Sequence, residues 1–362
     1  MKIEERIASF VQLGERLKTA IDHNNDLFQV AKSKNGWFGV EQSKQAFKNW
    51  AEMLTINNLN QWIADYPPIG NEREGKRVGI IMAGNIPLVG LHDLLAVLLS
   101  GNIAVVKPAT DDSVLIRFVI DQLYEINEVF KDKIDLAEKL TEIDAVIATG
   151  SNNSSRYFEA YFGKYPHIIR KSRTSVAILE GNESTDELKK LGEDIFTYFG
   201  LGCRNVTKLY VPKGYKFDRF FESIIDFSWV LDNIKYTHNY DYHKTLFLLN
   251  NEKMLDNEFV LVKEETKLKS PIGVIHYEYY DGEKNDLIID LQLSEEVQCV
   301  VDNESIKYGE AQSPRLWNYA DNVDTIAGGR PFNTPTHKIN GIVSYNVYEP
   351  LKASIALVYS HI

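Results

Sequence analysis

Short apolar and β-branched runs alternate with helix-length segments along the central part of this chain. Five such runs are evident, at Val78 to Met82, Ile103 to Val106, Ala145 to Ala148, Val176 to Leu179 and Leu209 to Val211. Strands that alternate with helices are joined by right-handed crossovers, which produce a mostly parallel sheet covered by helices on both faces. The pattern therefore predicts an α/β fold.

The segments on either side of this region have different patterns. The first 66 residues have helical periodicity, for example at Ile3, Ile7, Phe10 and Leu13, which predicts a helical N-terminal lead. From about Tyr242 onward, strand-like runs follow one another more closely, at Leu246 to Leu249, Phe259 to Val262, Val274 to Tyr277 and Val297 to Val301. This change predicts a second lobe.

Composition excludes several classes of protein. The 362 residues are 44% hydrophobic and 25% charged, as in ordinary globular proteins. A net charge of -11 argues against nucleic acid or an anionic membrane surface as a partner, because both require a basic face. The most apolar run, Leu94 to Leu99, is far shorter than the roughly 20 residues of a membrane-spanning helix. With two cysteines and no secretory pattern at the N-terminus, we expect a cytoplasmic protein.

The first motif lies within residues 79–110. It reads as a strand, a Gly84-Asn85-Ile86-Pro87 turn, a helix, a Gly101-Asn102 turn and a second strand that ends at Lys107-Pro108. Asn85 follows the first strand, where its side-chain amide can face a ligand. Lys107 ends the second strand, at the carboxyl edge where α/β sheets bind nucleotides. The alternative is that the asparagines only form turns and Lys107 is a solvated charge.

The second motif follows the run at Ala145. Gly150-Ser151-Asn152-Asn153 stands between this strand and a helix, where free backbone N–H groups and the helix dipole favour a phosphate. The alternative is simple N-capping of the helix by Ser151 or Asn153.

The third motif contains Cys203, which follows Gly200-Leu201-Gly202 between a helix-like segment and a strand. The glycines permit close approach of a substrate, and positive charge from Arg204 or a helix terminus favours a nucleophilic thiolate. The alternative, a buried small hydrophobic residue, is our interpretation of Cys299.

Two other patterns carry no function. Gly200 and Gly202 do not form a dinucleotide fingerprint, because they follow a helix and Asn205 occupies the third glycine position. His238 and His243 lack the sequence context of metal ligands, so we predict no metal.

The order and separation of the three motifs resemble the aldehyde dehydrogenase superfamily, and more closely the acyl-CoA reductases typified by the fatty acid reductase of bacterial luminescence. The resemblance covers roughly residues 35 to 330. It implies a helical lead with a Rossmann-type parallel-sheet cofactor domain at residues 1–182 and an α/β catalytic domain at 183–330. Residues 331–362 would return to the cofactor domain or form an oligomer contact.

The resemblance also implies roles for individual residues. Asn85 is similar to the family's oxyanion-hole asparagine, and Lys107 to the lysine that contacts the adenosine ribose. Gly150-Ser151 resembles the pair that faces the cofactor pyrophosphate. Cys203 resembles the nucleophile, although Leu201-Gly202 departs slightly from the residues usual before it.

Two departures from the family pattern are informative. Oxidising members carry a water-activating glutamate ahead of the cysteine, whereas residues 168–175, IIRKSRTS, contain no carboxylate; nearby Glu180 leaves the alignment open. Thr110 replaces a glutamate that binds both ribose hydroxyls in NAD-preferring relatives, which favours NADPH, with NADH as the alternative. Asp111 and Asp112 weaken that inference.

These features predict NAD(P)H-dependent reduction of an acyl-CoA, and specifically a fatty acyl-CoA, to the aldehyde through an acyl-Cys203 thioester. The alternatives are an acyl phosphate reductase of the same fold, a non-catalytic assembly subunit and an aldehyde oxidiser. Glu264 or Glu265 is a candidate for the nicotinamide-ribose contact. A homo-oligomer and an acyl-transfer partner subunit both stay open.

Overall fold

The structure, a computed structural model, describes residues 1–64, 75–302 and 306–312. These residues form two compact units, and the chain passes from the first to the second between Ser172 and Arg173. In the described part of the chain, no helix is long and apolar enough to cross a membrane.

Four helices open the first unit: α1 (Ile3–His23), α2 (Asn25–Lys34), α3 (Val40–Met53) and α4 (Ile56–Ala64). In α1 the apolar residues Ile7, Phe10, Leu13 and Leu17 are buried, because their three- and four-residue spacing places them on one face. They belong to the same hydrophobic core as the sheet that follows. The predicted helical lead is confirmed.

The first sheet has five described strands, all paired in parallel in the order β3-β2-β1-β4-β5. The strands are β1 (Arg77–Ile81), β2 (Ile103–Lys107), β3 (Ile134–Leu136), β4 (Ala145–Thr149) and β5 (His167–Arg170). The helices between them are α5 (Leu91–Leu99), α6 (Ser113–Ile126) and α7 (Asn152–Phe162), with 3-10 turns at Thr110–Asp112 and Glu128–Asp132. Every residue of α5 is buried, which explains why its sequence is apolar except at His92 and Asp93.

The strand order reverses beside β1. From β1 the chain proceeds outward through β2 and β3, and then returns to add β4 and β5 on the other side. Ile81 pairs with both Lys107 and Ala148, so three strands reach their carboxyl ends at one edge. A reversal of this kind opens a crevice in which α/β sheets bind their ligands.

The second unit is built around a sheet of six described strands in the order β11-β6-β7-β10-β9-β8. The strands are β6 (Thr174–Ile178), β7 (Val206–Pro212), β8 (Leu255–Asp256), β9 (Leu261–Glu264), β10 (Val274–Tyr280) and β11 (Val297–Val301). The helices are α8 (Thr185–Phe196), α9 (Asp218–Ser223), α10 (Ile234–Leu249) and α11 (Lys284–Leu293), with a 3-10 segment at Ile225–Asp232. Only β8 and β9 pair antiparallel in this described sheet.

The predicted α/β class is confirmed, but the strand predicted at Leu246 to Leu249 is wrong. These residues end α10, which begins upstream where the Asn233 side chain accepts a hydrogen bond from the Lys235 N–H (3.0 Å). Only Phe247 of the four is buried. A four-residue apolar run fits a strand or a helix equally well, and here the upstream helix start decides the outcome.

The division between the units precedes β6, whereas the boundary expected from sequence, between residues 182 and 183, follows it. The reason is that β6 pairs with β7 and β11 in the second sheet. The expected C-terminal segment, 331–362, lies outside the described residues.

Candidate active site

Asn85 lies in the loop that joins β1 to α5, and its side chain is exposed. The loop packs closely on the segment after β2, because a Cβ added at Gly84 would come within 2.6 Å of the Ala109 Cβ. Leu88 adopts a left-handed conformation with φ of 57°, and its N–H donates to Oδ2 of Asp112 (2.8 Å). The loop that carries Asn85 is therefore held by a specific buried contact.

Asp112 is itself almost fully buried, and burial raises its pKa well above the usual value for a carboxyl group. The hydrogen bond from Leu88 acts in the opposite direction but is the smaller effect. Asp112 ends the 3-10 turn that begins at Thr110, so one short segment carries the predicted cofactor residue and the anchor of the Asn85 loop.

Ser151 is the N-cap of α7, and its Oγ accepts a hydrogen bond from the Ser154 N–H (3.1 Å). The capping interpretation of this motif is thus confirmed. Capping does not exclude a ligand, since Ser151, Asn152 and Asn153 are exposed at the positive end of the helix dipole. The helix begins directly after β4, beside the reversal of strand order.

The residues at this edge fit a dinucleotide. Lys107 ends β2 and Thr110 follows it, while Gly150 and Ser151 follow β4; these two strands flank β1. A side chain at Gly150 would approach Phe158 and Ser154 to 2.9 Å, so the turn into α7 requires glycine. A tight glycine turn, a helix N-terminus and the strand reversal are the elements that bind a pyrophosphate in this class of sheet.

An ion pair in the first unit was not anticipated from sequence. Nη1 of Arg170, at the end of β5, lies 2.9 Å from both carboxylate oxygens of Asp93 on α5. Both side chains are largely buried, and burial raises the pKa of Asp93 while Arg170 partly offsets the effect. The one signal in the sequence is an aspartate within the apolar run of α5. Arg170 also lies within residues 168–175, the stretch that contains no carboxylate.

Cys203 lies in the second unit, on the loop that joins α8 to β7, as the sequence predicted. Its side chain is partly exposed. Before it the chain turns sharply at Phe199 and Gly200, which both have positive φ values, of 56° and 78°. No atom lies within 4 Å of a Cβ added at Gly200, so the glycine serves the backbone conformation and not close packing.

The backbone on both sides of Cys203 is held by buried side chains. Oδ1 of Asn205 accepts a hydrogen bond from the Gly202 N–H (2.9 Å). The Ser175 hydroxyl, at the start of β6, donates to the Cys203 carbonyl (3.0 Å). The nucleophile candidate therefore has a defined main-chain geometry.

This geometry directs the N–H of Cys203. The Gly202 carbonyl accepts a hydrogen bond from the Asn205 N–H (3.0 Å), so it points into the turn. In a trans peptide the C=O and the following N–H point in opposite directions, and the Cys203 N–H is therefore directed away from the turn. Within the described residues it donates to no acceptor.

Contacts from residues 309 and 311 also support the loop and the helix before it. The Arg204 Nε donates to the carbonyl of Ala311, and the Gly309 N–H donates to Oδ2 of Asp194 on α8 (2.7 Å). Asp194 is fully buried, and burial raises its pKa to about 7. The hydrogen bonds that Asp194 accepts and the nearby Arg204 act in the opposite direction but are smaller effects. The segment that contains Gly309 and Ala311 is thus held to the loop through buried polar groups.

Cys299 on β11 is buried, as predicted, and burial raises the pKa of its thiol. Its Sγ lies 2.8 Å from the Ser175 Oγ, so this residue belongs to the structural surroundings of Cys203.

Two of the three remaining candidates are held in ion pairs. Glu180, which left the alignment open, pairs with Lys284 (2.5 Å), and Glu265 pairs with Lys263 (3.3 Å). Glu264 ends β9. In the described residues, no group of three or more histidine, cysteine, aspartate or glutamate side chains could hold a metal.

Solved structures with a similar fold are aldehyde dehydrogenases. An NAD-dependent aldehyde dehydrogenase from Sinorhizobium meliloti is 13% identical with a TM-score of 0.65, covering 86% of this chain and 72% of that one. Aldehyde dehydrogenase 21 from Physcomitrella patens, in complex with the reaction product succinate, is 12% identical with a TM-score of 0.62, covering 90% and 76%. A Mycobacterium tuberculosis aldehyde dehydrogenase complexed with NAD+ is 15% identical with a TM-score of 0.60, covering 83% and 73%. The chain has an aldehyde dehydrogenase-like fold.

The family comparison is more specific. Residues 73–223 match the model of the family described as acyl-CoA reductase (LuxC), and this range includes Asn85, Lys107, Ser151 and Cys203. The resemblance predicted from the three motifs is confirmed, and the match supports an oxidoreductase that acts on acyl groups. No curated protein matches the sequence.

Proposed function

We propose that this protein reduces a fatty acyl-CoA to the aldehyde, with Cys203 as covalent nucleophile and NADPH as the hydride donor. The observation that carries the proposal is the geometry of the Cys203 loop. The Cys203 side chain is partly exposed, and its backbone N–H is directed away from a hydrogen-bonded turn. A nucleophile beside an available N–H donor is the arrangement that acyl transfer requires.

In the first half of the reaction, the Cys203 thiolate attacks the carbonyl carbon of the thioester and forms a new S–C bond. The charge that develops on the oxygen is stabilised by the Asn85 side-chain amide and the Cys203 N–H. The bond to the CoA sulfur then breaks, CoA leaves as the thiol after protonation, and the acyl group stays on Cys203.

The cofactor is proposed to bind at the edge of the first sheet, with Lys107 and Thr110 toward the ribose and Gly150-Ser151 toward the pyrophosphate. When bound, it supplies the hydride for reduction of the acyl-cysteine. The same two N–H donors stabilise the oxyanion of the resulting thiohemiacetal. Its collapse breaks the S–C bond and returns Cys203 for another cycle.

Arg170 supports reduction over hydrolysis. A guanidinium presents only N–H donors and cannot act as the base that activates water. With Arg170 held by Asp93 in the stretch where oxidising relatives carry a glutamate, an acyl-Cys203 thioester would hydrolyse slowly. Slow hydrolysis gives the acyl-enzyme time to be reduced.

Thr110 supports NADPH over NADH. A neutral side chain does not repel the 2′-phosphate, whereas a glutamate would. We expect Thr110→Glu to shift the ratio of kcat/KM for NADPH and NADH toward NADH by about 10-fold or more, since the added charge also binds the ribose hydroxyls. An unchanged ratio would remove Thr110 from the cofactor site.

The function is tested by incubating the protein with acyl-CoAs of increasing chain length in the absence of cofactor, followed by intact mass measurement and peptide mapping. The proposal predicts an acyl adduct on Cys203 that is absent in Cys203→Ala. An adduct from acyl phosphates but from no acyl-CoA would favour the acyl phosphate reductase. No adduct with either donor would favour a non-catalytic subunit.

A further inference from the structure

Asn205 is fully buried, and the proposed chemistry does not yet use it. Its amide group makes three hydrogen bonds within the second unit. Oδ1 accepts from the Gly202 N–H, while Nδ2 donates to the carbonyls of Asp194 (3.0 Å) and Ile195 (3.1 Å). All of the amide's donors are therefore engaged.

The two carbonyls belong to the last turn of α8, where helix carbonyls lack partners from the helix itself. Asn205 satisfies them and in the same contact holds the Gly202 N–H. It thereby connects the end of α8 to Gly202, the residue immediately before the nucleophile.

The main chain of Asn205 acts on the same turn. Its N–H donates to the Gly202 carbonyl, and its own carbonyl accepts from the Ser175 N–H (3.3 Å) at the start of β6. The carbonyl of the peptide between Gly202 and Cys203 is thus held by the Asn205 main chain. That main chain is in turn fixed by the Asn205 side chain at the helix end and by β6.

We propose that Asn205 is a positioning residue that presents the Cys203 N–H to the oxyanion of the acyl-transfer step. The inference rests on the proposed function, in which Cys203 is acylated. Asn205 does not contact the substrate and acts through the peptide that it orients. If its side chain is removed, the loop keeps its thiol, but the Asn205 main chain and the Gly202 N–H lose the contacts that fix them, and the direction of the Cys203 N–H is no longer fixed.

Two reactions of the same thiol separate this role from general loss of structure. Alkylation by iodoacetamide is a direct displacement at carbon that develops no oxyanion. Acylation by octanoyl-CoA or p-nitrophenyl acetate passes through an oxyanion that needs the N–H. We expect Asn205→Ala to lower the acylation rate by about 10- to 100-fold and the alkylation rate by less than about 3-fold.

Asn205→Asp provides a second discrimination. Aspartate keeps the acceptor for the Gly202 N–H but cannot donate to the helix carbonyls. The proposal predicts faster acylation in Asn205→Asp than in Asn205→Ala. If Asn205 only fills space and satisfies buried hydrogen-bonding groups, Asn205→Ala should be acylated faster than Asn205→Asp. The reason is that a buried unpaired carboxylate disrupts the structure more than a small cavity does. Asn35→Ala, which removes a buried amide from the first unit, is the matched control and should leave both rates unchanged.

The outcomes are distinguishable from failure of the proposed function. A wild-type protein that p-nitrophenyl acetate acylates but octanoyl-CoA does not would contradict the acyl-CoA assignment, and the ester would still test Asn205. Equal acylation of wild type and Asn205→Ala, or a parallel loss of acylation and alkylation, would overturn the positioning role. If neither donor acylates the wild type, both proposals fail.

Discussion

Individual side chains that were unremarkable in the sequence determine the geometry of this site. Asn205 was noted only because it occupies the position of the third glycine in a dinucleotide fingerprint. Ser175 belonged to residues 168–175, which were considered because they contain no carboxylate. Both hold the backbone beside Cys203. The Ser175 contact joins strand β6 to a loop 28 positions later, and the Asn205 contacts join a turn to the end of α8. Periodicity and motif spacing do not encode contacts of either kind.

Asn85 offers the most direct residue-scale test of the oxyanion site. We expect Asn85→Ala to slow acylation of Cys203 by about 100-fold, the cost of losing one oxyanion donor. Rapid-mixing measurement of CoA release gives the rate. Asn60→Ala, at an exposed asparagine on α4, is the control and should acylate normally. An Asn85→Ala protein that acylates at the wild-type rate would exclude the amide from the mechanism.

Asp112 allows a test of the loop that carries Asn85. Asp112→Ala leaves the Leu88 N–H without its acceptor, and a buried unsatisfied donor costs about 1–3 kcal/mol. Asp112→Asn keeps an acceptor and removes a carboxyl group whose ionisation burial disfavours. Urea denaturation at neutral pH should therefore rank Asp112→Asn above Asp112→Ala in stability. Equal losses in the two variants would contradict this explanation.

At the scale of secondary structure elements, the strands predicted from β-branched runs in the central region are confirmed. These runs are apolar because the central residues of the strands are buried. Strands β3 and β5 were not predicted, since Asp135 interrupts the first and His167 and Arg170 bound the second. The run at Leu246 was assigned to a strand because an apolar stretch so short carries no reliable period.

The Arg170–Asp93 pair joins β5 to α5, and its loss should be costly. Arg170→Met would leave the buried Asp93 carboxylate without a partner, at a cost of about 3–5 kcal/mol in unfolding free energy. The double variant with Asp93→Leu should recover a large part of this loss. Arg117→Met, which breaks the exposed pair with Asp121, should cost less than about 1 kcal/mol. Similar losses at the two sites would show that burial does not decide the effect.

At the scale of the whole molecule, Asp194 lowers the free energy of unfolding as pH rises toward neutrality. Burial raises its pKa to about 7, so the folded protein binds this proton more tightly than the unfolded chain does. The contribution of Asp194 to unfolding free energy therefore falls as pH rises from about 4 to about 7 and is constant above that. Urea denaturation from about pH 5 to about pH 8 should show the wild type losing stability relative to Asp194→Asn. A constant difference across this range would contradict the assignment.

The fold class and the family could be predicted from sequence because both depend on local patterns: strand–helix alternation and three short motifs in a fixed order. The boundary between the two units could not be located accurately from the sequence. β6 follows the first sheet closely in sequence, yet its partners β7 and β11 lie later in the chain. The buried carboxylates at residues 93, 112 and 194 likewise depend on tertiary packing.

The central claim is that Cys203 carries the acyl group between CoA and reduction, and a single-turnover measurement tests it most directly. The protein is acylated with a fatty acyl-CoA, freed of excess thioester, and then mixed with NADPH while intact mass and aldehyde are followed together. The proposal predicts that the adduct on Cys203 disappears at the same rate as aldehyde forms, one aldehyde for each adduct. An adduct that persists, or that yields only the free fatty acid, would contradict the reductase function.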